Sequence, residues 1–134
     1  MDRPNWVKLI LGLTIDDKQF EFFRLIDLIK YLAITRNLPY IQIETNGYTL
    51  WDKNVFPDRL SVGWMLYQPR VIDKSYLPMA ENVTPVYQNN EQTGTLIITK
   101  KGIFDGQNQD DIDKSNDVEI QLVNLGLLPL ITEI

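Results

Sequence analysis

The N-terminal third of the chain alternates short apolar runs with one long amphipathic segment. Val7 to Ile15 is rich in Val, Ile and Leu and ends at a polar turn, a pattern typical of a buried strand. Lys18 to Ala33 has apolar residues at helical spacing, and Asp16 or Asp17 precedes it as a candidate N-terminal cap. Tyr40 to Thr45 alternates as a second strand. The order strand, helix, strand predicts a βαβ unit with two parallel strands and a right-handed crossover.

The predicted helix carries a broad apolar face. One stripe at helical spacing consists of Phe22, Ile26, Ile29, and Leu32 or Ala33. The apolar residues beside this stripe are Phe23, Leu25 and Leu28. Because so much of the helix surface is apolar, we expect the helix to be heavily covered where it packs on the sheet.

The next strand-like region follows a long loop. Asn46-Gly47 and Phe56-Pro57 are turn signals, so the stretch from Thr45 to Arg59 is predicted as an aromatic-rich loop. Leu60 to Tyr67 then alternates, and Pro69 ends the strand because it lacks a backbone donor. The residues predicted to share one face of this strand are Leu60, Val62, Trp64 and Leu66.

The C-terminal half predicts mostly antiparallel strands. Val83 to Tyr87 and Thr95 to Lys100 form a predicted hairpin whose loop is QNNEQTG. Asp110 to Asn116 is predicted as a short helix. Val118 to Val123 is predicted as a strand with Glu119 facing outward. We therefore predict one α+β domain, residues 1–134, with a mixed β-sheet, an N-terminal βαβ unit, one long helix packed on the sheet, and later antiparallel strands.

Composition narrows the chemistry that this domain can perform. The 134 residues include no cysteine, which excludes disulfides and zinc–thiolate sites. They also include no histidine, which excludes Ser-His-Asp and Cys-His catalysis and removes the commonest metal ligand. We therefore predict no cofactor and no metal, and the composition favours a binding protein over an enzyme.

The charge balance indicates a partner of opposite sign. Thirteen basic against 18 acidic residues give a net charge of −5 and a pI near 4.6. Such a surface repels nucleic-acid phosphates and attracts a basic protein, so no nucleic-acid binding is predicted. The N-terminal residues lack the pattern of a secretion signal, and no apolar run approaches the length of a membrane span. The predicted location is the cytoplasm.

The acidic cluster from Asp105 to Asp117 does not fit a calcium loop. An EF-hand alignment starting at Asp111 puts Asn116 where glycine is required and Leu122 where a glutamate is required. The cluster is instead predicted as a solvated capping segment.

Carboxylate pairs and phosphate loops give no stronger signal. Glu44 with Asp52, or Asp58 with Glu81, could be nominated as a catalytic pair, but their spacing does not distinguish them from the other acids of the chain. The seven glycines form neither a GxGxxG nor a GxxxxGK[ST] motif.

The aromatic residues are the remaining signal. Trp64 and Phe56 are predicted to lie in the core. Tyr48 and Trp51 lie among polar residues of the predicted loop, so we expect accessible side chains of the kind found at binding hot spots. The residues alone thus predict a domain that binds rather than catalyses.

The run TNGYTLWDKNVFPDRLSVGWMLYQPR, Thr45 to Arg70, resembles the immunity protein 52 family of bacterial polymorphic toxin systems. Further similar blocks are Pro85-Val86, GTLIIT at Gly94 to Thr99, the stretch from Phe104 to Val123, and LLP at Leu127 to Pro129. The resemblance covers most of the chain. It departs at the N-terminus, where members of the family carry a longer segment.

The resemblance implies that the chain neutralises a toxin encoded by the neighbouring gene, a restriction-endonuclease-like nuclease delivered to rival cells. The immunity protein would bind this toxin in the cytoplasm and occlude its active site or its nucleic-acid groove. No family-wide inhibitory residues carry over, so the contact residues are predicted from this chain. The predicted aromatic anchors are Tyr48 and Trp51, and the predicted partners of toxin lysines and arginines are Asp52, Asp58, Asp110, Asp111 and Asp113.

Two other functions remain open. A carboxylate-dependent enzyme predicts a deep pocket with clustered acids of raised pKa and turnover of a substrate. An adaptor that oligomerises through its apolar tail, Leu127 to Ile134, predicts a homo-oligomer that is lost when the tail is deleted. The immunity hypothesis predicts instead a tight one-to-one complex with the product of the neighbouring gene.

Overall fold

A mixed five-stranded sheet forms the centre of the protein. The structure is a computed structural model that describes residues 6–11, 22–36 and 38–134. The strands are β1 (Trp6–Leu11), β2 (Tyr40–Thr45), β3 (Met65–Gln68), β4 (Asn82–Gln88) and β5 (Glu91–Ile98). Their order is β1-β2-β3-β5-β4, with β1 parallel to β2 and every other pair antiparallel. With helices α1 (Phe22–Thr35) and α2 (Gln109–Asn124), this confirms the predicted α+β class and its parallel first pair.

Helix α1 packs on one face of the sheet through a narrower stripe than predicted. Leu25, Ile29 and Ala33 are buried and recur every four residues, as one helix face requires. Leu28 is 44% exposed, so the prediction of a heavily covered helix is wrong at this position. The predicted caps Asp16 and Asp17 lie outside the described residues, as do the side chains of Phe22 and Phe23.

Strand β3 is shorter than predicted, and Gly63 changes which face its residues occupy. Gly63 has φ +62°, and a Cβ there would lie 2.9 Å from both Glu44 Cβ and Ile43 O. This left-handed residue interrupts the two-residue alternation before the strand begins. Trp64 is fully buried, as predicted, but it packs in the α1-side cluster rather than with Val62 and Leu66.

The predicted hairpin is confirmed, with a tighter turn. β4 and β5 are joined by Asn89 and Asn90, whose φ values of 54° and 67° are those of a two-residue type I′ turn. Most of the predicted QNNEQTG loop is therefore strand. Pro85 lies in β4, an edge strand of the sheet, where its missing N–H interrupts no further pairing.

Helix α2 replaces two predicted elements, and the predicted strand from Val118 to Val123 is wrong. Asn108 caps the helix by accepting a hydrogen bond from Asp111 N at 3.1 Å. The helix continues through the predicted strand, and Val118 and Leu122 are buried on the sheet face opposite α1. Gly126, with φ +72°, ends the helix where Leu127 N donates to Leu122 O.

The apolar tail is folded against its own chain. Leu60 N donates to Pro129 O and Ile131 N donates to Asp58 O, each at 3.0 Å. Leu128 is buried in the α2-side cluster. The tail thus supports the intramolecular core. No helix in the described ranges has the length and apolar character needed to cross a membrane.

Candidate functional site

The loop between β2 and β3 is a series of tight turns. Thr45 O, Gly47 O and Tyr48 O accept hydrogen bonds from Tyr48 N, Trp51 N and Lys53 N, respectively. Asn46, Gly47 and Asp52 adopt positive φ values of 50°, 76° and 55°. Asn and Asp tolerate this conformation better than most residues, and glycine best of all. The sequence Thr45-Asn46-Gly47 therefore favours a folded loop.

Tyr48 holds this loop from the interior of the protein, and the prediction that the Tyr48 side chain is accessible is wrong. Its side chain is fully buried, and its ring meets Phe104 edge-on at a centroid distance of 5.7 Å. Its hydroxyl lies 2.9 Å from both Asn116 Oδ1 and Glu119 Oε2 and donates to them. Burial, with the nearby Glu119 carboxylate, raises the pKa of Tyr48. Tyr48 therefore positions the loop from the interior of the protein.

Glu119 is the functional residue that sequence reasoning missed. It was predicted to face outward from a strand, but on α2 it is 1% exposed. Its Oε1 accepts from Val55 N at 3.0 Å, and its Oε2 accepts from Val62 N at 2.9 Å and from Tyr48 and Ser115. Burial raises the pKa of Glu119, and these hydrogen bonds oppose the rise. One carboxylate thus joins α2 to both halves of the loop region.

Glu44 anchors the start of the loop from β2. Its carboxylate is buried and accepts from Thr49 N at 3.0 Å and from the Thr49 hydroxyl. Gln42 Nε2 donates to it at 3.0 Å, and Lys8 Nζ lies 3.6 Å away. Glu44 thus binds the N-terminal part of the loop, and Glu119 binds its C-terminal part. Both carboxylates hold the loop in place.

The loop presents two large apolar side chains to solvent. Leu50 is 76% exposed and Trp51 is 64% exposed, which confirms the predicted accessibility of Trp51. The indole lies against the backbone of Gly47, where an added Cβ would come within 2.6 Å of Trp51 Cδ1. Asp52 and Asp58, two of the predicted acidic contacts, are also exposed. We call Leu50, Trp51 and Asp52 the anchor loop.

Helix α2, which Tyr48 contacts from the loop, carries an acidic face. Asp110, Asp113 and Asp117 are exposed and line an open groove of about 560 Å³, in which they outnumber the two lining lysines, Lys100 and Lys114. Asn116, which accepts from Tyr48, is three residues from Asp113 and adjacent to Asp117 in sequence. Residues three and four apart lie on neighbouring parts of a helix surface. The hydrogen bond from Tyr48 therefore places the loop against the helix that carries these acids.

Asp111 does not belong to this exposed acidic face. It is 2% exposed, and its Oδ2 pairs with Lys100 Nζ at 2.8 Å and accepts from Asp105 N at 2.9 Å. The prediction that it meets a partner's cation is therefore wrong, because its charge is already paired inside the protein. The reason is the helical period, which turns Asp111 inward while Asp110 and Asp113 point to solvent.

Comparisons with known proteins add no identification. No protein-family model matches this sequence, and a search of curated proteins finds no match. Among the described residues, no group of three or more potential metal-binding side chains is placed to hold a metal ion. The candidate site is thus the surface formed by the anchor loop and the acidic face of α2.

Proposed function

We propose that this protein is an immunity protein that binds a cognate bacterial toxin and neutralises it. The observation that carries the proposal is the exposure of Leu50 and Trp51 on a loop that buried hydrogen bonds hold in place. Exposed apolar pairs on ordered loops, with acids around them, have the composition of a binding hot spot and its polar rim. The family resemblance of the stretch from Thr45 to Arg70 includes this same loop.

The charges favour a basic partner. Asp52, Asp110, Asp113 and Asp117 are all exposed, on a chain with a net charge of −5. A nuclease that binds phosphates has a basic groove, so this acidic surface complements it and steers the encounter. The proposed mechanism is occlusion, in which the acidic face of α2 occupies the groove where the nucleic acid would bind.

The rigidity of the loop increases the affinity that this surface can reach. Binding costs free energy when side chains and loops must become ordered. Here Glu44 and Glu119 already hold the loop by its backbone N–H groups at Thr49, Val55 and Val62. Less ordering is left to occur when Trp51 inserts into a partner. An inhibitor of this kind needs no histidine or cofactor.

Co-expression with the product of the neighbouring gene tests the proposal. We expect that product to be toxic alone, and we expect this protein to restore growth and to co-purify with it in a one-to-one complex. The double variant Trp51→Ala, Asp52→Ala should lose protection while remaining folded by circular dichroism. An absence of both rescue and co-purification would reject the immunity function, and full protection by the double variant would reject the loop assignment.

A further inference from the structure

A second cavity lies at the other end of α2. It has a volume of about 300 Å³ and is lined by Arg59, Arg70 and the segment that follows the helix. We propose that this cavity binds a carboxylate carried on a small apolar group. The proposal is independent of the immunity function, because the cavity shares no residue with the anchor loop or the acidic groove.

Arg59 is held in position within this cavity. Its Nη1 donates to Leu128 O at 2.5 Å, and its backbone forms a bridge with Leu130. Only part of the guanidinium is used by the Leu128 carbonyl, since a guanidinium carries five N–H donors in a fixed fork. The remaining donors are available to a carboxylate, which a guanidinium can bind through two parallel hydrogen bonds.

Arg70 supplies a second guanidinium, and no described carboxylate pairs with it. It is exposed just beyond the end of β3. Within the described ranges, neither Arg59 nor Arg70 forms an ion pair with a carboxylate, whereas Lys8 and Lys100 do. Two arginines at one cavity, neither paired with a described carboxylate, create a local site for an anion.

The remaining lining selects the size and character of the anion. Val123, Leu127 and Leu128 provide apolar side chains, and the volume is at the lower end of the roughly 300–1,000 Å³ typical of small-molecule pockets. Glu133 also lines the cavity, where its Oε1 accepts from Leu130 N at 2.9 Å. Two positive charges and one negative charge leave a net attraction for an anion, and the planar fork of a guanidinium matches the two oxygens of a carboxylate. A peptide C-terminus and a free short-chain acid both offer this chemistry.

Amide NMR titrations of the purified full chain test the site with two matched probes. N-acetyl-leucine has a carboxylate and an apolar group, and N-acetyl-leucinamide differs only by lacking the charge. We expect saturable shifts at the amides of residues 123–128 with the acid and at least about tenfold weaker binding of the amide. Isocaproate separates the two ligand sources. Equal binding of isocaproate indicates a free acid, and weaker binding of isocaproate indicates a peptide C-terminus.

Charge variants supply the decisive comparison. Arg70→Gln should weaken N-acetyl-leucine binding by about tenfold, because one charge-assisted contact is lost. Glu133→Gln should tighten it, because a like charge is removed. Arg36→Gln, an exposed arginine at the end of α1, should change nothing. No binding of the acid, equal binding of acid and amide, tighter binding of inorganic phosphate, or unchanged binding by Arg70→Gln would overturn the proposal.

Discussion

At position 119, a single buried carboxylate holds two separate stretches of backbone. Glu119 accepts hydrogen bonds from Val55 N and Val62 N, and it also pairs with Tyr48 and Ser115. Burial of a backbone N–H without an acceptor costs about 1–3 kcal/mol, so this residue stabilises the loop through groups that would otherwise be unpaired. The loop that displays Trp51 therefore depends on a residue that is itself buried.

The raised pKa of Glu119 predicts a specific pH dependence. Because burial raises its pKa in the folded state, the folded protein binds this proton more tightly than the unfolded chain does. The contribution of this proton to the stability of the fold is therefore present at low pH. It is lost as the pH rises from the ordinary glutamate pKa through the raised pKa of Glu119. We expect the free energy of unfolding of the wild type, measured relative to Glu119→Gln, to fall across that window in urea titrations.

A matched variant isolates this effect. Glu91→Gln removes an exposed acid at the start of β5, so it controls for the loss of one surface carboxylate. If the pH profile of unfolding free energy for Glu119→Gln runs parallel to that of the wild type, the titration of Glu119 does not influence stability.

The roles of Tyr48 and Glu119 were outside the reach of sequence reasoning for a physical reason. Their hydroxyl–carboxylate contact joins residues 71 positions apart, and no local pattern records such a pairing. The exposure of Trp51 was predictable because polar neighbours and turn residues are local properties of the sequence. Asp111 misled because Asp110 and Asp113 lie within two residues of it, and only the phase of the helix separates its buried side chain from theirs.

Among the elements, α2 and the turn at Gly63 depart most from the predicted pattern. Val118, Ile120 and Leu122 alternate like a strand, but Ile120 is 43% exposed, and the buried set also includes Ile112 and Ser115 at helical spacing. Short apolar runs fit both periods, and packing against the sheet selects the helix. The βαβ unit and the hairpin were predictable because long helical periodicity and Asn-Asn turn chemistry are strong local signals.

Gly63 allows a direct test of the close approach between β2 and the start of β3. Gly63→Ala should destabilise the protein by about 1–2 kcal/mol from the left-handed backbone alone. The contact of the new Cβ with Glu44 Cβ and Ile43 O should add to that loss. Gly102→Ala is the matched control, because Gly102 has φ +84° and nothing within 4 Å of the added Cβ. Equal losses of unfolding free energy in the two variants would contradict the packing described for Gly63.

For the molecule as a whole, the charge is arranged along α2. Exposed acids occupy its N-terminal half, where they also favour the positive end of the helix dipole, and unpaired arginines lie beyond its C-terminus. The exposed acids and the two arginines therefore lie toward opposite ends of α2. The overall charge was evident from the sequence, but its separation into two ends required the three-dimensional course of α2.

This arrangement predicts how salt affects association with a toxin. Asp113→Asn combined with Asp117→Asn should slow association by about tenfold at low ionic strength and change dissociation little. The difference should shrink in high salt, where charges are screened within a few ångströms. Asp27→Asn combined with Glu81→Gln removes two exposed acids elsewhere and should have a much smaller effect in the same stopped-flow measurement. Equal slowing by both pairs would assign the effect to net charge alone.

The dissociation constant of the complex with the neighbouring gene's product, measured by calorimetry for Trp51→Ala, tests the central claim most directly. Truncating a tryptophan that becomes buried in a complex should cost about 2 kcal/mol or more of binding free energy, which is roughly a thirtyfold rise in Kd. Tyr87→Ala is the control, because Tyr87 is an equally exposed aromatic residue on the edge strand β4. We predict a raised Kd for Trp51→Ala and an unchanged Kd for Tyr87→Ala. Wild-type affinity in Trp51→Ala would contradict it.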